Sequence, residues 1–262
     1  MNCILIDEKY SNVSTTFQLL CNCKDFLIEM NKNFVTNHKY KQFLEFFKNI
    51  CCRQITTSNM IKIKSDKFKQ EKCIDTFLDF INNIDKAYLK KVTVVIETNI
   101  TNKQDPLYKA YNYIEESYNN EFSFIKPLFY GLYYNSYKCR ECFYESNSFQ
   151  EFKYITDTEW YSNCDMFCKG CHFTTLHTFF QKIIIAPKYI ILSNNILNFN
   201  LSNEMFFKKE TYNLLHIVYK TDIYYITSFI NNKWRMFKNG SAKTIDYIDH
   251  DNCVFTVYVK SS

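Results

Sequence analysis

Along the first half of the chain the apolar positions recur at helical spacing. Val13, Phe17 and Leu20, followed by Phe26, Leu27 and Met30, predict a helix over residues 11–30. Residues 40–50 and 72–84 carry the same periodicity. In the latter, Ile74, Phe77, Leu78 and Ile81 form one stripe, the pattern of a face turned to a core. A β-branched run predicts a strand at 91–100, and 107–118 reads as a short helix. From Phe129 onward the period shortens. Alternating runs rich in Tyr, Phe, Ile and Val predict antiparallel strands at 214–219, 223–230, 234–237 and 254–259. Helices dominate the first half and strands the second, which predicts an α+β fold with a helical lobe beside a sheet. No internal repeat and no Gly-, Ser- or Pro-rich linker divides the chain.

Composition sharpens this picture. The 262 residues are 47% hydrophobic and 18% aromatic, enough for a sizeable core and unlike a disordered chain. The net charge of +5 is spread along the sequence, so solvated lysines account for it and nucleic-acid binding is not implied. Asn, Lys, Ile, Phe and Tyr are abundant while Gly and Pro number only 3 each. Those residues have AT-rich codons, pointing to an AT-rich genome such as that of a large DNA virus or an intracellular parasite. The start MNCILIDEKYSN lacks the layout of a signal peptide, and the apolar run 183–192 is interrupted by Pro187 and Lys188. It is far short of the ~20 residues a membrane helix needs. The expected setting is therefore cytoplasmic or nuclear, the host-cell cytoplasm if the source is a virus. In such a reducing compartment 12 cysteines are thiols or metal ligands rather than disulfides.

Two C-x2-C pairs stand out, Cys139 with Cys142 and Cys168 with Cys171. Two such pairs are the pattern of a four-thiolate structural zinc site, with no ligand position left open for a catalytic water. Gly170 is expected to relieve the tight turn of the second pair. Cys164 and His172 are alternative ligands on that side.

The cysteine pairs lie in longer patterns. The first sits in Phe129-Tyr-Gly131, Cys139-x2-Cys142, Ser146 and Glu151-Phe152. The second follows Tyr161 and precedes Pro187 and Tyr189-Ile-Ile-Leu192. Glu71-Lys-Cys-Ile-Asp-Thr-Phe77-Leu78 stands where QQDAxEFL would, and Tyr212-x-Leu214, Tyr224-Tyr225-Ile-Thr-Ser-Phe229, Trp234-x-x-Phe237 and Cys253 to Tyr258 follow in order. Together these blocks resemble the ubiquitin-specific proteases over nearly the whole chain. The resemblance implies a papain-like cysteine protease fold: a helical thumb, a palm, and β fingers tied by zinc that grip ubiquitin. It implies one domain over 1–262, with a mainly helical thumb at 1–125 and fingers and palm sheet at 126–262.

The same resemblance locates the catalytic positions and finds them changed. Lys9-Tyr-Ser11-Asn-Val-Ser-Thr-Thr-Phe-Gln18-Leu-Leu20 stands where NTCYMNSxLQxL would, which puts Ser11 at the nucleophile and Lys9 at the upstream Asn. Read from the residues alone, Ser11 is a helix N-cap. Ile223-Tyr224-Tyr225 stands at the GHY segment, which puts Tyr224, or Ile223 after a one-residue shift, at the histidine. Neither supplies an imidazole base. The orienting position falls at Asn239. A triad fails as a unit, so loss of nucleophile and base together implies a pseudo-deubiquitinase, a ubiquitin- or protein-binding and scaffolding module without catalytic residues. Two other expectations compete: an active hydrolase with a relocated dyad, Cys3 with His216 first, or an interaction protein that does not bind ubiquitin. Cys21 and Cys23 near the first helix are further thiols, whereas His38, His177 and His250 read as ordinary histidines.

Overall fold

The computed structural model describes residues 11–32, 72–87, 90–91, 104–117, 121–156, 161–193, 204–207, 210–238, 241–248 and 251–261. The helix expected at 40–50 and most of the strand expected at 91–100 lie outside these residues. The described helices are α1 (Ser11–Asn22), α2 (Lys24–Lys32), α3 (Cys73–Ala87), α4 (Pro106–Ser117) and the short α5 (Ile125–Phe129). Two short strands, β1 (Lys90–Lys91) and β2 (Glu121–Phe122), pair with each other.

The single helix expected over 11–30 is two helices, because the chain breaks at Cys23. The Cys23 NH donates to the Leu20 carbonyl at 3.1 Å, an i→i−3 turn that closes α1, and the Leu27 NH donates to the Cys23 carbonyl as α2 begins. Tertiary partners hold the break. Cys23 Sγ lies 3.9 Å from His216 Nε2, and the Tyr189 phenol accepts from the Asp25 NH while donating to the Asp25 carboxylate. No local pattern in 11–30 records those partners.

Two larger sheets follow. The first comprises β3 (Gly131–Cys139), β4 (Glu145–Phe152), β5 (Tyr161–Phe167) and β6 (Thr174–Ile185) in the order β4-β3-β6-β5, all antiparallel. The second comprises β7 (Tyr189–Ser193), β8 (Glu204–Phe207), β9 (Glu210–Lys220), β10 (Tyr224–Ile230), β11 (Lys233–Lys238), β12 (Ser241–Ile245) and β13 (Cys253–Lys260). Its path is β12-β11-β10-β9-β13-β7, with β8 also on β9. The four strands expected in the C-terminal half are therefore present; β9, β11 and β13 are longer than their apolar runs, and β10 starts one residue later than its run. β12, with the exposed sequence SAKTI, has no apolar signal to find.

The seven-stranded sheet is buried on both faces. Tyr189, Ile191, Val218, Ile226, Phe255 and Val257 face a core shared with α1, α2, α3 and α5. Their strand neighbours Ile190, Leu192, Ile217, Tyr219, Tyr225 and Tyr258 face a second core with Tyr133, Phe152 and Ile183. With both faces covered, apolar residues also stand at consecutive positions, so the alternation read from the sequence is incomplete in these strands. The expected stripe on α3 is core: Phe77 and Ile81 are fully buried, Ile74 and Leu78 partly so. Helix α1 lies between α3 and β10 and is buried nearly all round, through Asn12, Val13, Thr15, Thr16, Phe17, Gln18, Leu19 and Leu20. Two of its polar side chains, Asn12 and Thr16, meet partners there. Asn12 Nδ2 donates to Thr76 Oγ1 at 3.0 Å, and Thr16 Oγ1 donates to the Asn12 carbonyl at 2.9 Å.

The two sheets meet where β3 starts. The ring of Phe152 lies over Gly131, so that a Cβ there would come within 2.1 Å of Phe152 Cζ, and the ring is also stacked on Tyr133 at 4.3 Å between centroids. Gly131→Ala is expected to lose about 1–3 kcal/mol of stability through overpacking. Adding Phe152→Leu should recover part of that loss in urea denaturation. Simple additivity of the two changes would show that the ring contact is not the cause.

Candidate functional site

Two places in this fold hold the residues that the sequence singles out. One is the far end of the four-stranded sheet, where the β3–β4 and β5–β6 turns meet. The other is the head of α1, against β10.

At the first, the Sγ atoms of Cys139, Cys142, Cys168 and Cys171 all lie within 4.8 Å of one another, so the four residues could hold a metal ion. Cys139 to Cys171 is 3.7 Å and Cys142 to Cys168 is 3.5 Å. Tetrahedral zinc with sulfur ligands at about 2.3 Å places the sulfurs roughly 3.8 Å apart, so the donor set and its spacing fit zinc. The two turns are built alike. In each, the first cysteine NH donates to a carbonyl five residues on, Tyr144 or Phe173, and its carbonyl accepts from the NH four residues on, Phe143 or His172. Phe143 and His172 both take the left-handed conformation, with φ of 58° and 62°.

That conformation corrects the role expected of Gly170, because the turn's positive φ belongs to His172. What Gly170 provides is space between the two turns: a Cβ there would lie 2.8 Å from Cys142 Sγ and 3.0 Å from Tyr144 Cβ. Neither Cys164, which pairs with His177 between β5 and β6, nor His172 belongs to the thiol cluster. His177 is an ordinary buried histidine, its Nδ1 2.9 Å from the Thr175 carbonyl. Burial pushes the Cys139 thiol up, but the backbone NH of Cys142, the Thr175 hydroxyl and the Glu141 NH outweigh it and bring it down to about 6. The nine described cysteines form no disulfide.

At the second place, Ser11 is the first residue of α1 and its Oγ accepts the Tyr224 backbone NH at 3.1 Å. The Tyr224 ring is buried and lies beneath the ammonium of Lys220, 5.2 Å from the ring centroid. The bond from the Tyr224 NH to Ser11 ties the head of α1 to β10. Asn239, Lys9, Cys3, His38, His250 and Glu71 lie outside the described residues. Cys73, in the QQD-like segment, is a packing residue. It is fully buried between α1 and α3, its Sγ donates to the Asn12 carbonyl at 3.4 Å, and burial pushes the thiol up to about 12.

His216 sits elsewhere, in the core at the other end of α1. Its Nε2 faces Cys23 and its Nδ1 lies 2.9 Å from Ser228 Oγ, which in turn accepts from Asn22 Nδ2 at 3.1 Å. Both Cys23 and His216 are 0% exposed. Burial, and then the nearby Asp25, push the Cys23 thiol far up, while burial brings His216 down to about 3. The pair therefore rests as neutral thiol and neutral imidazole, the reverse of the thiolate and imidazolium that make a cysteine nucleophile. The sequence gives no hint of this pairing, since 193 residues separate its members.

With this geometry in view, the fold is the α+β, papain-like arrangement of the ubiquitin-specific protease type. The likeness is to two solved structures in particular. A chain of the yeast SAGA DUBm determined with an Sgf73 mutant matches with a TM-score of 0.64 and 12% identity, over 100% of this chain and 69% of that one. A chain of the SAGA DUB module of Ubp8, Sgf11, Sus1 and Sgf73 bound to monoubiquitin matches with a TM-score of 0.65, the same identity and the same coverage. At that identity the likeness is one of fold. No protein-family model and no curated protein matches the sequence. Among the described residues no helix is long and apolar enough to cross a membrane.

Two outcomes follow from these sites. Gly170→Ala is expected to weaken metal binding on the order of 10–100-fold, the usual cost of disturbing the surroundings of a ligand set. Competition with a chromophoric chelator measures this, and unchanged affinity would contradict the contact with Cys142. The lowered His216 pKa favours the folded state above the unfolded value near 6.5, because only the unfolded chain takes up the proton below it. Stability should thus fall between about pH 6.5 and 3, by up to about 1.4 kcal/mol per pH unit from this group. His216→Asn should flatten the pH dependence of the urea midpoint by about one proton's worth. An unchanged slope would mean His216 is not held neutral by the core.

Proposed function

We propose that this chain is a pseudo-deubiquitinase: one domain of ubiquitin-specific protease type that binds ubiquitin or another protein, carries structural zinc, and does not cleave. The observation that carries the reading is the contact between Ser11 Oγ and the Tyr224 NH. The resemblance of sequence assigned these two positions, 213 residues apart, to the nucleophile and the histidine. Their meeting at the head of a buried helix supports that register over the alternative at Ile223. In this reading a hydroxyl and a phenol ring stand where a thiolate and an imidazole are needed, and the Ser11 oxygen accepts from a backbone amide. Asn239 would have no imidazole to orient.

The buried state of His216 speaks against its recruitment to a relocated dyad. Acting on a substrate would require it to leave Cys23 and Ser228. The partner is proposed on the strength of the fold and of a structural neighbour that is bound to monoubiquitin. Zinc is proposed from the four-thiolate set, with Cys139, Cys142, Cys168 and Cys171 holding the two sheet turns together as a structural clamp. No nucleic-acid or membrane role is proposed.

Labelling with ubiquitin bearing a C-terminal electrophile tests the loss of catalysis. Purified, zinc-loaded protein is expected to give no covalent adduct by mass spectrometry. An adduct would overturn the pseudoenzyme reading, and its site would name the nucleophile. NMR titration of labelled ubiquitin tests the partner, and absence of shifts at millimolar protein would remove ubiquitin from the proposal. Elemental analysis is expected to find about one zinc per chain, as a closed four-ligand site requires.

A further inference from the structure

The outer edge of the four-stranded sheet is strand β5, and among the described residues no strand pairs with that edge. Natural edges are blunted by lysine, proline or a bulge. Tyr161–Phe167 has none of these and carries a single charge, Asp165. The outward backbone groups can be assigned. The Cys168 NH donates inward to the Phe173 carbonyl, and the Leu176 carbonyl, opposite Asp165, turns the other way to accept from the Arg140 NH. Tyr161, Asn163, Asp165 and Phe167 therefore present their NH and carbonyl groups outward, while Ser162, Cys164 and Met166 bond to β6.

The side chains of those four residues share one face of the sheet with Leu176, Thr178 and Phe180 of β6. Tyr161 is 61% and Phe167 58% exposed, with Phe180 and Leu176 behind them at 42% and 39%. On the same face the Arg140 guanidinium reaches over the sheet to Asn163 Oδ1 at 2.7 Å.

We propose that β5 pairs antiparallel with β5 of a second copy of this chain, about a two-fold axis at Cys164, to give one continuous eight-stranded sheet. The strand is self-complementary about that axis. Tyr161 falls opposite Phe167 of the second copy, and Asn163 opposite Asp165. The four exposed aromatics become two cross-strand pairs on one face, each flanked by Phe180 and Leu176. The lone charge does not meet its own kind. Asp165 lands beside the Arg140 that already covers Asn163 of the other copy, and symmetry makes this ion pair twice. Cys164 meets its own copy on the opposite face. Its backbone groups point inward, so this is a non-hydrogen-bonded pair with Cα atoms about 4.5 Å apart, a separation a disulfide spans. The contact is small and its expected strength is that of a transient interface. It is independent of the catalytic reading, because β5 lies at the metal end of the fold, away from Ser11.

Sedimentation velocity on the zinc-loaded full chain, from about 1 to 100 µM, the range suited to a transient interface, tests it. A monomer–dimer equilibrium is expected. Asn163→Pro removes one outward NH and no β5–β6 bond, and should weaken the dimer at least about tenfold. Asp165→Arg should weaken it similarly, and adding Arg140→Glu should restore it, a rescue that misfolding would not mimic. Mild diamide should join two chains through Cys164 and not in Cys164→Ser, the two thiols giving their electrons and protons to the azo group. A monomer at every concentration, a dimer untouched by both single substitutions, or failure of the charge-swapped pair to re-associate would overturn the proposal.

Discussion

Burial of α1 is the constraint on which the rest of the structure depends. A helix enclosed between α3 and the seven-stranded sheet cannot shift without opening the main core, where Phe17, Phe77 and Phe129 are fully buried. Each such side chain contributes roughly 1.5–3 kcal/mol by its removal from water. The helix is fixed at both ends as well. Ser11 holds its head to β10, and Cys23 sits against His216 at its tail. The Ser11 side chain is therefore presented by a rigid element, since closely packed interiors transmit displacement instead of absorbing it.

The four-stranded sheet needs a different kind of support. Toward its base, α4 covers it through Ala110, Leu132, Tyr134 and Ile184. Beyond that the sheet carries Tyr161, Phe167, Leu176 and Phe180 in solvent and buries little apolar area. A thin sheet of that kind is held at its end by the meeting of two turns of matching hydrogen-bond pattern, with Phe143 and His172 in the same left-handed conformation. An ion held by those four thiolates would supply there, through ligand bonds, the cohesion that a hydrophobic core supplies elsewhere. The single glycine at 170 keeps the turns close enough for one ion to span them.

Cys23 and His216 form an instructive pair, because residue types that signal catalysis on a surface carry the opposite meaning in a dry core. Without water or a counter-charge the ionised forms are disfavoured, so the thiol and imidazole become packing groups joined to Ser228 and Asn22 by hydrogen bonds. Cys73 behaves in the same way between α1 and α3. Cys23 and Cys73 lack the C-x2-C spacing of the four-thiol cluster, and their surroundings make them packing groups.

Sequence alone determined the features that are local or repeat at short range. The α+β order, the stripe on α3 and the C-terminal strands follow from hydrophobic period, and two C-x2-C pairs announce a four-thiolate set because each pair is complete within four residues. Tertiary structure alone decided the break at Cys23, the choice of Cys139, Cys142, Cys168 and Cys171 over Cys164 and His172, and the true role of Gly170. It also decided the contact of Ser11 with Tyr224 and the burial of His216. The physical reason is the same in each case. These outcomes depend on partners as far as 213 residues away, such as the Tyr224 NH above Ser11. Periodicity and local propensity carry no information about which surfaces meet once the chain has folded.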